Sequence, residues 1–135
     1  MFSSSKIQIH PELLASELGA SVPTIELEML DRLATTIPVR QGEQIVRESG
    51  FGRECFVVVE GQFKVERGDV NVLLGPGSVI GEMALLTLKP RTASVTATTD
   101  SSVYVLTPTE FASLLDTCPA IAKYVLDGAA RRAAA

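Results

Sequence analysis

Between residues 37 and 107 the chain breaks into short β-rich runs separated by Gly, Pro and Asp, and that texture limits the folds open to it. Candidate strands cover 37–40, 44–48, 55–60, 62–67, 70–74, 91–98 and 102–106. Phe63 and Val65 alternate with Gln62, Lys64 and Glu66, as in a strand with one face buried. Gly61, Gly68-Asp69 and Gly75-Pro76-Gly77 supply turns. Many short strands at this spacing indicate a sandwich or a jelly-roll barrel. One segment departs from the pattern: residues 81–86 read as a short helical turn set among strands.

Helical patterns flank this zone. Leu13, Leu14 and Leu18 share one face of a first segment, and Gly19 is placed to stop it. A second helix starts near Thr24 and carries Ile25, Met29, Leu30 and Leu33 at spacings of three and four. Glu26, Glu28, Asp31 and Arg32 lie away from that stripe. Thr107-Pro108-Thr109-Glu110 forms a capping box, in which Thr107 caps, Pro108 takes the first helical position and Glu110 reaches back. Phe111, Leu114 and Leu115 follow as an apolar face. Pro119 opens a last helix with Ile121, Tyr124 and Val125 on one side, and Gly128 weakens it before the Ala- and Arg-rich end.

Composition narrows the chemistry. The 135 residues, enough for one domain, carry 12 Lys plus Arg against 16 Asp plus Glu, a formal charge of -4. That balance argues against direct nucleic-acid binding and against an anionic membrane, both of which need a basic face. His10 is the one histidine, so a cupin-like metal enzyme, which needs two or three, lacks its ligands and no metal is expected. Cys55 and Cys118 make no disulfide framework, and a reducing cytoplasm is the simpler expectation. The longest apolar run, residues 55–59, is far below the ~20 residues of a spanning helix, so the segment itself is expected to be soluble.

The informative stretch runs from Gly75 to Val95. Gly81 opens a short helix whose first N–H groups have no partner inside it, which suits an anion, typically a phosphate. Glycine allows close approach of a ligand to the backbone, and Ala84 is small enough not to block it. Arg91 can return its guanidinium to the same anion as a charge-assisted pair. Glu82 would repel a phosphate unless it accepts from a neighbouring hydroxyl. Taken alone, these residues also fit a plain acidic helix start with Arg91 paired to Glu82.

Over its full length the stretch resembles the phosphate-binding cassette of the cyclic nucleotide-binding domain family. Gly81, Glu82, Met83, Ala84 and Leu85, then Arg91, Thr92, Ala93, Ser94 and Val95, match that pattern without a gap. Similarity extends over residues 20–132, and its closest flavour is that of cyclic nucleotide-regulated channels. The resemblance implies a mainly β fold with flanking helices: an eight-stranded antiparallel jelly-roll barrel at about 37–107. It also implies N-terminal helices, a short cassette helix and two C-terminal helices at about 108–132. Residues 1–22 would be a helical extension and 23–135 the domain.

By the same resemblance, Arg91 would pair with the exocyclic oxygens of cAMP or cGMP, helped by the amides around Met83, Ala84 and Leu85. Glu82 would accept from the ribose 2′-OH, and Thr92 would donate to the phosphate or to a syn guanine. Val79 and Ile80 would neighbour the ligand or fill the core, and Arg132 would lie over the purine. The function implied is a non-catalytic regulatory module that needs no cofactor and signals through its terminal helices. It would act on an effector protein, or on an effector domain of a longer chain from which it is excised. A ligand-free interaction domain with the same fold is the alternative, against which the intact Gly81, Glu82, Ala84 and Arg91 argue.

Overall fold

The computed structural model describes residues 8–88 and 90–134, with the backbone alone for 132–134. Three helices lead: α1 (Pro11–Leu14), α2 (Glu17–Ser21) and α3 (Thr24–Leu33). Strands β1 (Thr35–Val39), β2 (Gln44–Val46), β3 (Cys55–Glu60), β4 (Phe63–Arg67), β5 (Val70–Leu74) and β6 (Val79–Ile80) follow. The short helix α4 (Glu82–Thr87) precedes β7 (Ser94–Ala97) and β8 (Ser101–Leu106). Helices α5 (Pro108–Thr117) and α6 (Pro119–Ala134) close the chain.

The eight strands form two four-stranded sheets, ordered β1-β8-β3-β6 and β2-β7-β4-β5, with antiparallel pairs throughout. The result is jelly-roll-like but not the closed barrel expected. Strand β6 has only two residues before Gly81 turns the chain away, and β2 carries a register shift between Gln44 and Val46. Neither edge therefore runs on into the other sheet. The strand expected over 91–98 starts only at Ser94, because the Arg91 backbone pairs with Ser49 and Gly50 in the β2–β3 loop instead.

Strand β3 explains its own unbroken apolar sequence. Cys55, Val57 and Val59 face a core shared with the helices, whereas Phe56 and Val58 face a second core between the sheets. A strand covered on both sides loses the alternation that marks a half-solvated one. The helical extension belongs to the first core: Ile9, Leu13, Leu18 and Val22 are buried there with Phe111, Ile121 and Val125.

Several helix details differ from the expected pattern. Ser16 caps α2 by accepting from the Gly19 N–H at 3.1 Å, which splits the first segment in two. Gly19 is inside α2 rather than at a stop, and a Cβ there would collide with the Leu13 and Leu14 carbonyls. On α3 the buried face is Glu26, Leu27 and Leu30, and Ile25 is exposed. The rotation follows from Glu26, whose carboxylate accepts from the Ala120 and Ile121 amides at 3.3 and 2.9 Å and so caps α6. The capping box of α5 forms as expected: Thr107 Oγ1 accepts from the Glu110 amide at 3.2 Å, and the Glu110 carboxylate from the Thr107 amide at 2.9 Å. Helix α6 passes Gly128 without interruption, because Ile121, Val125 and Ala129 all reach buried positions.

Candidate functional site

The segment between β6 and β7 is shaped by Gly81 and Arg91. Gly81 caps α4 with φ +88°, a left-handed conformation that other L residues adopt at a cost. A Cβ there would also overlap Nη1 of Arg91. At the other end Leu88, also left-handed, closes α4 by donating its N–H to the Ala84 carbonyl at 2.9 Å. This sharp exit helps return the chain to Arg91.

The Arg91 side chain is buried at 7% exposure. Nη1 donates to the Gly81 carbonyl at 3.0 Å and Nη2 to the Glu54 carbonyl at 2.6 Å. Two of the five guanidinium N–H groups are thus directed to backbone carbonyls, which fix the plane of the fork without neutralising it. Burial lowers the Arg91 pKa from its ordinary value, against the upward pull of the charges of Glu54, Cys55 and Glu82. Among the described residues, none of the salt bridges includes Arg91. Glu82 and Glu54 thus act on Arg91 by charge at a distance, while its direct hydrogen bonds go to backbone carbonyls.

Beside Arg91, Glu82 is 3% exposed and Ala84 is also buried, while Met83 and Leu85 are half-buried and Thr92 is exposed. The fold thus brings Gly81, Glu82 and Arg91 to one place, with the α4 amides opening from it. Val79 and Ile80 part company. Ile80 fills the core between the sheets, whereas Val79, in the helix-covered core, also lines a small cavity of about 110 Å³ under α6. Leu74, Ser78, Tyr124, Val125, Gly128 and Arg131 complete that cavity. Arg132 lies on α6 with its side chain outside the described residues; Arg131, one position earlier, is among the described residues that line the cavity. Tyr124 tethers α6 above it by donating its hydroxyl to the Gly77 carbonyl at 3.2 Å.

An apolar strip was not singled out from the sequence. Val65 pairs across from Val72 and Phe63 from Leu74, and Val65 and Leu74 pack on the inner core. Alternation puts Val70 and Val72 on that same inward face, yet they are 61% and 48% exposed. The signal was present as the alternation within 70–74, but a strand pattern alone does not say which face stays uncovered.

Cys55 and Cys118 are both buried and form no disulfide, and burial raises the Cys118 pKa, which disfavours its reactive thiolate. Taken together, the region holds an oriented cation at the start of α4, a buried carboxylate, an open valine strip on β5, and a small cavity lined by Leu74 and Val79 beneath α6.

The sequence model of the cyclic nucleotide-binding domain matches residues 36–118. A cyclic nucleotide-gated potassium channel of Rhizobium etli is 34% identical over 123 residues, covering 86% of this chain and 34% of the channel. A cyclic nucleotide-gated potassium channel of Mesorhizobium japonicum is 38% identical over 102 residues, covering 75% of this chain and 28% of that one. The chain thus spans about a third of the length of these relatives. Among solved structures, the catabolite activator protein of Thermus thermophilus superposes with a TM-score of 0.75 at 27% identity, over 87% of this chain and 58% of that one.

Proposed function

The chain belongs to the cyclic nucleotide-binding domain family, and from that premise we propose that it binds cAMP or cGMP through Arg91 and passes occupancy to its terminal helices. One observation carries the reading: Arg91 is a buried cation with no salt-bridge partner among the described residues and with N–H donors to spare. Burying an unpaired charge is costly, and a cyclic phosphate supplies the missing anion.

In this reading the exocyclic phosphate oxygens take the remaining Arg91 donors and the amides of Met83, Ala84 and Leu85, with Thr92 at the rim. Glu82 accepts from the ribose 2′-OH. The base lies along Val72, Leu74 and Val79 under α6, where Arg131 faces it. Ligand contact with α6 links binding to a change in helix position, because a ligand shifts only an equilibrium whose two states it binds unequally. The module is regulatory and non-catalytic and works without a cofactor. It acts in the cytoplasm on an effector domain or protein. No helix among the described residues is long and apolar enough to cross a membrane.

A thermal-shift panel with cAMP, cGMP and a linear 5′-mononucleotide tests this. Stabilisation by a cyclic ligand and not by the linear one is expected, since a ligand bound by the native state raises the melting temperature by mass action. No shift with either cyclic ligand, together with no heat of binding by calorimetry, would overturn it.

A further inference from the structure

A second cavity lies away from the cassette. It is a groove of about 730 Å³ between α1, α3 and the sheet strands beneath them. Val59 and Tyr104 are part of its floor, and Leu14, 43% exposed, stands on one wall. Thr24, Glu28 and Asp31 line the other wall, spaced four and three along α3, and so share one helix face.

The groove is acidic. Glu28 and Asp31 line it, and Glu12 and Glu60 flank His10 at its end, all three offering ligand atoms within 4.8 Å of one another. No Lys or Arg is among its described lining residues. The cluster around His10 suggests a metal site, but the hydrogen bonds decide otherwise. His10 Nδ1 accepts from the Glu12 amide at 3.1 Å and caps α1, so the ring proton sits on Nε2 and is donated to Glu60. A metal on Nε2 would need that proton moved to Nδ1 and the cap broken. Each carboxylate oxygen can accept more than one hydrogen bond, so Glu60 and Asp31 can serve a further cation while keeping their partners. Asp31 is held in place by the Tyr104 hydroxyl at 2.8 Å. Burial, helped by Asp31, raises the Tyr104 pKa, which keeps the phenol a donor.

We infer that this groove docks a cationic amphipathic helix of a partner protein, its apolar residues against Leu14 and Val59 and its Lys or Arg residues on Glu12, Glu28, Asp31 and Glu60. Charge complementarity selects this occupant. An acidic rim around an apolar strip repels acidic and purely apolar segments differently, and only a basic amphipathic one satisfies both parts.

The test uses the full chain and two labelled synthetic peptides of about 18 residues, five helical turns. One alternates Leu and Lys at helical spacing, and the other replaces every Lys by Glu. Fluorescence anisotropy should show saturable binding of the Lys peptide and none of the Glu peptide. Glu28→Gln combined with Glu60→Gln should weaken binding about ten-fold, and Leu14→Ser about three-fold. A variant with the same charge change elsewhere, Asp69→Asn with Asp116→Asn, should stay within about two-fold. Circular dichroism confirms that each variant is folded, and Leu14→Ser, at an exposed position, keeps the test open if the double variant is not. Equal affinity for both peptides, or equal losses in groove and control variants, would overturn the proposal. So would binding that appears only after residues 1–7 are removed, since the chain's own terminus would then be the occupant.

Discussion

Glu26 and Arg91 are buried to the same extent, each 7% exposed, but the protein treats their charges differently. Glu26 meets two amides at the start of α6, the part of a helix where N–H groups lack partners and the dipole favours an anion. Donors and acceptor complete each other, and the charge holds the last helix to α3. Arg91 meets two carbonyls that orient it, and no described carboxylate forms a salt bridge with it. We read the first charge as structural and the second as the anion-binding charge of the proposed site.

The sharpest way to break this contrast is to exchange the consequences of losing each charge. Arg91→Leu should lower affinity for the cyclic nucleotide by ~2–5 kcal/mol, because the phosphate loses its charge partner. The same change should lower the ligand-free melting temperature only modestly, since removing a buried cation offsets part of the loss of the donors to the Gly81 and Glu54 carbonyls. Calorimetry and thermal melting on one preparation check both halves. Near-parental affinity would remove Arg91 from the site.

Glu26→Ala should do the reverse. One buried and one half-buried amide at the α6 start lose their acceptor, and stability should fall by ~1–3 kcal/mol in urea unfolding. Glu26→Gln keeps one acceptor oxygen and should recover part of the loss. Affinity measured well below the melting temperature should change little in either variant. A large affinity loss with unchanged stability would erase the distinction between the two charges.

Tyr104 belongs with Glu26 as a polar group closed from inside, and pH separates it from the rest. Its pKa is raised in the folded chain, by burial first and then by the hydrogen bond to Asp31. The folded state therefore holds the phenol proton more tightly than the unfolded one. The stability this contributes is fully present below the ordinary tyrosine pKa of about 10 and is lost as the pH rises beyond it. Urea unfolding should show an alkaline loss of stability that Tyr104→Phe reduces. An identical alkaline profile in the two proteins would mean that Tyr104 does not carry it.

The same contrast explains what the sequence disclosed. Gly81, Glu82 and Arg91 lie within one short stretch, so a local motif held the whole polar end of the site. The Glu26 partners lie 94 and 95 residues away, and no local pattern links them. Glu26 instead reads as a solvent-facing residue of an amphipathic helix. The capping box of α5 was legible for the reason that the cassette was: all its partners sit within one turn. The short β6, the unclosed sheets and the open valine strip were not, since each depends on which distant element comes to lie alongside.

The smallest expected effect lies at the base end, where a charge is neither buried nor closed. Arg131 is exposed and lines the cavity under α6 with Leu74 and Val79, so its guanidinium can lie against the face of a bound purine. Such a cation–π contact at an exposed site is worth ~0.5–1 kcal/mol. Arg131→Ala should therefore weaken cyclic nucleotide binding by about two- to five-fold. Arg132→Ala, at the position to which the family resemblance assigns the purine contact, is the comparison. A larger loss for Arg131→Ala is expected when the two are measured side by side by calorimetry, and a larger loss for Arg132→Ala would assign the contact to that residue instead.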